Sequence, residues 1–189
     1  RGLVMVPPFE DRWVMAGAGT VALETVRQAA GMGATLDAMI ACCSGGGLAA
    51  GTALVMRTLL PNAEVLAAEP VGFDDTARSL AAGHRVANEP GRTSICDSVM
   101  APMPGALTFA VNKDRLTGAV AVTDDEVIEA MRTAFRDLGL VAEPGGSVAL
   151  AAVLSGRYPL DGRTVAVTLS GSNVDLDSAL RWMGTAAAG

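Results

Sequence analysis

Residues 36–51 read Leu36-Asp37-Ala38-Met39-Ile40-Ala41-Cys42-Cys43-Ser44-Gly45-Gly46-Gly47-Leu48-Ala49-Ala50-Gly51, and this stretch decides the fold. The apolar run Leu36–Cys42 is short and continuous, which predicts a fully buried strand. Ser44-Gly45-Gly46-Gly47 breaks it sharply. A helix is expected next, with Leu48, Val55 and Leu59 facing inward and Pro61 ending it. Glycines let a backbone come close to a ligand, because no Cβ intervenes. The first N–H groups of a helix lack internal acceptors and sit at the positive end of its dipole. Together these features suit a bound anion such as phosphate. The plainer alternative is a tight turn that binds nothing, but three consecutive glycines cost more backbone entropy than a turn requires.

The same alternation extends outward in both directions. Strands are expected at Gly2–Val6, Glu64–Ala68, Gly118–Val122 and Thr164–Leu169. A helix is expected after a Gly17–Gly19 turn, burying Leu23, Val26 and Ala30, and a short one over Asp74–Ala82. Thr123-x-x-Glu126 is a capping-box pattern that opens a helix with Val127, Ile128, Met131, Phe135 and Leu138 on one face. Ser147–Leu154 reads as helical, and a closing helix buries Leu176, Leu180 and Met183. The region from His84 to Pro104 reads as loop, and the tail Ala186–Gly189 as frayed. Apolar strands separated by helices predict an α/β fold: a mostly parallel sheet with helices on both faces. Ligands in such sheets bind beyond the C-terminal strand ends. Both Gly/Ser loops, at Ser44 and at Ser170, fall at such ends.

The 189 residues are half hydrophobic, 18% charged and carry a formal net charge of −6. That composition describes one globular domain and argues against nucleic acid as a partner. No apolar run reaches the length of a membrane span. Three cysteines, two of them adjacent, form no metal-binding or disulfide pattern, which fits a reducing, cytoplasmic setting. The single histidine, His84, lies in a polar stretch and reads as a solvated loop residue.

One candidate ligand is a dinucleotide. Gly45, Gly47 and Ala50 fit Gly-x-Gly-x-x-Gly/Ala, and Glu69 follows at about the 20-residue spacing of a ribose-binding acid. That pattern leaves the Ser170 loop without a task.

A second candidate rests on resemblance. Ala16-Gly17-Ala18-Gly19-Thr20-Val21-Ala22-Leu23-Glu24, Ser44-Gly45-Gly46-Gly47-Leu48, Ala68-Glu69-Pro70, Ala142-Glu143-Pro144-Gly145-Gly146-Ser147 and Leu169-Ser170-Gly171-Ser172-Asn173-Val174-Asp175 occur in this order. They resemble the ordered segments of the serine/threonine dehydratases and serine racemases, pyridoxal-phosphate enzymes of fold type II. The resemblance implies that residues 1–189 are most of the large cofactor-binding domain, without the small domain and the N-terminal segment. It implies pyridoxal phosphate as cofactor, with the N–H groups of Ser44, Gly45, Gly46, Gly47 and Leu48 on its phosphate and Ser170 at its ring nitrogen. Glu69, Asp75 and the carbonyl of Phe73 match a Mg²⁺ or Ca²⁺ site of some members; a helix-start acid beside an exposed Glu is the plainer alternative. Glu143 lies either near the ring or at a helix cap. Ser44 and Ser172 replace family glycines, which is tolerable where neither needs positive φ, and Asp97-Ser98 stands where the family commonly has Asp-Gly.

The implied activity is conversion of threonine, serine or a related hydroxy amino acid to a 2-oxo acid and ammonia. Racemisation is a related outcome, and a non-catalytic ligand-binding module is a third possibility. Pyridoxal-phosphate chemistry needs a lysine amine, yet the sequence holds one lysine, Lys113, in a polar, loop-like stretch that matches no family lysine. The Schiff-base lysine is therefore expected on an N-terminal segment or a partner chain, whether this chain is a processed fragment, a subunit or an engineered piece. Alone it is expected to be inactive, to expose a broad apolar face, and to be insoluble or held by a partner. The intact enzyme is expected to be a homodimer.

Overall fold

The structure is a computed structural model and describes residues 2–184. Four parallel strands form one sheet: β1 (Ala38–Cys42), β2 (Glu64–Pro70), β3 (Gly118–Val122) and β4 (Val165–Val167), in the order β3-β2-β1-β4. Ala38 pairs with Glu64 on one side and Val165 on the other, and Leu66 pairs with Gly118. The α/β architecture expected from the apolar runs is present.

Strand periodicity splits the core. Ala38, Ile40 and Cys42 face one side with Leu66 and Ala68, under α5 (Asp124–Leu138) and α6 (Pro144–Leu154). Met39 and Val65 face the other, under α1 (Arg12–Gly31) and α2 (Gly47–Leu59). The Thr123 capping box forms, with Thr123 Oγ1 accepting the Glu126 N–H and Glu126 returning the bond.

Several expectations need correction. Gly17–Gly19 is no turn. Asp11 caps α1 by accepting the N–H groups of Trp13 and Val14, and the helix runs through both glycines. Gly19 is small because α2 crosses there: a Cβ on Gly51 would stand 2.4 Å from the Met15 carbonyl oxygen. The buried faces also shift toward the smaller residues. Ala22 and Ala29 of α1, and Ala49, Ala53 and Met56 of α2, are buried, while Ala30 and Leu59 are exposed. Residues 2–6 form no strand, and Leu3, Val4, Met5 and Val6 are exposed, with no strand among the described residues paired to them. β4 is only half-buried because it is the sheet edge.

On α7 (Leu176–Gly184) only Ala179 is buried, while Leu176 and Leu180 are exposed. Phe135 and Leu138 on α5 are exposed as well. The stretch holding Lys113 is not a loop but the end of a helix, α4 (Ala106–Arg115). α3 (Asp75–Ala82) matches expectation, and His84 is exposed. The tail Ala186–Gly189 lies outside the described residues. No helix among the described residues is long and apolar enough to cross a membrane.

Candidate functional site

β1 delivers the chain to the loop Ser44–Gly46, from which α2 begins. Gly46 sits at φ +94°, a left-handed backbone that side chains resist. Ser44 keeps ordinary φ; Asp161 is the one described non-glycine residue at positive φ, so Ser172 is unstrained too. No N–H group of Ser44 to Leu48 finds an acceptor among the described residues. Together these donors make an anion cradle at a helix start.

Across a cleft of about 320 Å³ stands Ser170. The cleft is also lined by Phe9, Cys42, Ser98, Glu143 and Gly145. The Ser170 and Glu143 segments interlock. Ser170 N–H donates to Gly146 O at 3.1 Å, Glu143 N–H to Gly171 O at 3.2 Å, and Asn173 N–H to Glu143 Oε2 at 2.9 Å. A Cβ on Gly146 would fall 1.5 Å from Ser170 O, so only glycine fits. Glu143 occupies the N-cap position of α6 but makes no side-chain cap bond there. Its carboxylate instead braces the Ser170 loop from the cleft wall.

Cys42 lies beside Ser170. Burial raises its thiol pKa, against lowering hydrogen bonds from Thr168 and Ser170. Burial raises Cys43 as well, reinforced by Glu69, and Cys96 is pushed up to about 12. All three are buried free thiols that stay protonated at neutral pH, so none is an activated nucleophile.

Glu69 is fully buried, its two oxygens accepting the N–H groups of Thr76 and Ala77, each at 2.9 Å. It thus serves the start of α3, too deeply buried to reach the ribose of a bound nucleotide, which removes the dinucleotide alternative. Burial and the nearby Asp75 push its pKa up to about 8, against those hydrogen bonds. Asp75 is also buried and pushed up to about 6, chiefly by desolvation; its Oδ1 accepts from Asn88, while its Oδ2 has no partner. Among the described residues, no group of three or more His, Cys, Asp and Glu could hold a metal.

Sequence reasoning missed Phe9, Glu10, Thr108 and Asn112. Phe9 packs over Gly45 and Gly47. Glu10 caps α4, accepting the N–H groups of Ala106 at 2.9 Å and Leu107 at 3.0 Å. Thr108 and Asn112 reach the glycine loop from α4. One signal was present: Thr108 and Asn112 stand at i and i+4, one face of a helix.

Comparison with known proteins assigns the chain. Residues 1–171 match the family model described as pyridoxal-phosphate dependent enzyme, and the chain belongs to that family. A serine racemase of Dictyostelium discoideum is 38% identical over 177 residues, covering 92% of this chain and 53% of the relative. A beta-hydroxyaspartate dehydratase of Paracoccus denitrificans is also 38% identical over 177 residues, covering 94% and 54%. The threonine deaminase of T.th. superposes with a TM-score of 0.86 at 39% identity, covering 89% of this chain and 60% of that one. The chain spans about half the length of the curated relatives it matches.

Proposed function

We propose that the cleft holds pyridoxal phosphate, with its phosphate on the N–H groups of Ser44, Gly45, Gly46, Gly47 and Leu48 and its ring nitrogen at Ser170. The observation that carries this reading is the row of unpartnered N–H groups facing Ser170 across one cleft. The bound cofactor supplies an electron sink for the substrate's α-carbon. The chain's own residues hold and orient it. A serine hydroxyl hydrogen-bonds a ring nitrogen without protonating it, which tempers the sink and favours prompt loss of a β-hydroxyl.

The substrate in this reading is a small hydroxy amino acid, threonine or serine with 3-hydroxyaspartate also in range, converted to a 2-oxo acid and ammonia. The names of the similar proteins support this class. The serine racemases among them also support the related reading, return of the α-proton to the opposite face. Lys113 is exposed on α4 and absent from the cleft lining, so the amine comes from an N-terminal segment or a partner chain. The apolar groove of about 520 Å³ between α5 and α7, lined by Phe135, Val141, Leu176 and Leu180, suits that missing part. We assign the completed enzyme as a homodimer.

We further propose that Glu69, Asp75 and the Phe73 carbonyl take Mg²⁺ or Ca²⁺, completed by waters. Two buried carboxylates with one orphan oxygen fit a cation, which would serve structure rather than chemistry.

The test is to combine the chain with its lysine-bearing part, add pyridoxal phosphate, and assay ammonia and 2-oxo acid from L- and D-threonine, serine and 3-hydroxyaspartate. Cofactor absorbance with ammonia release supports the dehydratase reading. Interconversion of serine enantiomers without ammonia selects the racemase. Absence of a bound-cofactor band rejects both.

A further inference from the structure

Thr108 and Asn112 lie one turn apart on α4 and are 0% and 1% exposed. Burying a hydroxyl and an amide is costly unless they are hydrogen-bonded; the Thr108 hydroxyl and the Asn112 amide nitrogen are, while Asn112 Oδ1 finds no partner among the described residues. Their bonds go to the glycine loop: Thr108 Oγ1 donates to Gly45 O at 2.5 Å and Asn112 Nδ2 to Gly46 O at 3.2 Å. The Gly105 N–H adds a second donor to Gly45 O at 3.1 Å. In a trans peptide the carbonyl and the following N–H point in opposite directions. Drawing the Gly45 and Gly46 carbonyls onto α4 therefore aims the N–H groups of Gly46 and Gly47 away from it, where no described acceptor meets them. A Cβ on Gly46 would lie 2.7 Å from Asn112 Nδ2 and 3.1 Å from Thr108 Oγ1, so α4 leaves room only for glycine at this left-handed position. On the other side, Phe9 packs over Gly45 and Gly47, and neighbouring Glu10 caps α4.

We propose that Thr108 and Asn112 are positioning residues for the cofactor phosphate, clamping the Gly45 and Gly46 carbonyls so that the loop presents its N–H groups preformed. This rests on the reading that the cleft binds pyridoxal phosphate. The clamp acts on the phosphate and not on the pyridine ring, so its signature is the preference for pyridoxal phosphate over pyridoxal.

The experiment measures both dissociation constants by fluorescence in the protein completed with its lysine-bearing part, for wild type, Thr108→Val, Thr108→Ser and Asn112→Ala. Thermal melting of each variant checks folding. Thr108→Val and Asn112→Ala should each weaken pyridoxal phosphate about tenfold, leave pyridoxal unchanged, and so erode the preference. Thr108→Ser, which keeps the hydroxyl, should retain it. If folded Thr108→Val and Asn112→Ala keep the wild-type preference, the clamp is wrong while the cradle stands. Should only one of them fold, that one decides. If wild type itself binds the two ligands equally, the cradle reading has failed first.

Discussion

The two flanks of the sheet are built differently. On the flank of α1, α2 and α4, contact is made through small residues and backbone. Gly19 and Gly51 let two helices touch, and Thr108 and Asn112 bond directly to loop carbonyls. On the flank of α5 and α7, large apolar side chains face outward: Leu176 is 71% exposed and Leu180 56%. β4, the sheet edge, borders this second flank, with Trp182 and Met183 of α7 partly buried against its core. The first flank joins helix to helix and helix to glycine loop through backbone, while Trp13 and Met32 at the two ends of α1 stay exposed. The second offers apolar surface that further polypeptide can cover.

That contrast can be broken by substitution. The largest effect is expected where backbone meets backbone. Gly146→Ala would drive a methyl into the Ser170 carbonyl, and Gly51→Ala into Met15 O. Each should cost about 3 kcal/mol or more in denaturant unfolding, at the upper end of overpacking penalties. A loss below about 1 kcal/mol at Gly51 would mean that the α1–α2 flank yields easily, and one at Gly146 that the α6–Ser170 junction does. Next comes Leu180→Ser on the open flank. Melting of the chain alone should move little, by roughly 0.5 kcal/mol, while its solubility improves and its capture by the lysine-bearing part weakens. A large loss of stability in the isolated chain would show that α7 is already packed.

The smallest effect concerns the N-terminal strand ends, away from the cleft. Glu64 Oε2 accepts from Tyr158 at 2.6 Å and Arg163 at 3.0 Å, and these bonds hold its carboxyl below the ordinary range. A lowered folded pKa stabilises above the unfolded value, and that gain is lost as pH falls through the folded one. With Glu64 about 38% exposed, screening limits the gain. Glu64→Gln should cost under about 1 kcal/mol at pH 7, with the difference from wild type closing as pH drops below the ordinary carboxylate range. A constant difference across that range would point to packing instead.

Legibility in the sequence followed the same divide. The apolar runs read at 36–42, 64–68 and 118–122 revealed the sheet, because a doubly covered strand must be apolar on both faces. The Ser44–Gly46 and Ser170 loops were legible as the C-terminal ends of β1 and β4, because glycine and serine mark strand ends. α4 was not: Thr108 and Asn112 are polar residues buried by specific bonds, and the polar run at 112–115 hid the helix. The Gly17–Gly19 segment misled because a glycine needed for helix contact looks like a turn residue. Leu176 and Leu180 were read as buried, and Phe135 and Leu138 as part of one apolar face, because apolar spacing shows which face seeks a cover, not whether this chain supplies one.

The central claim is that the Ser44–Leu48 loop and the Ser170 loop hold the two ends of one cofactor. Amide hydrogen exchange in the completed protein, with and without pyridoxal phosphate, tests it most directly. Protection should appear together in the peptides spanning 44–49 and 170–173, with Gly46→Ala losing the first and weakening the second. Cofactor binding that protects neither stretch, or protects only residues 69–77, would contradict it.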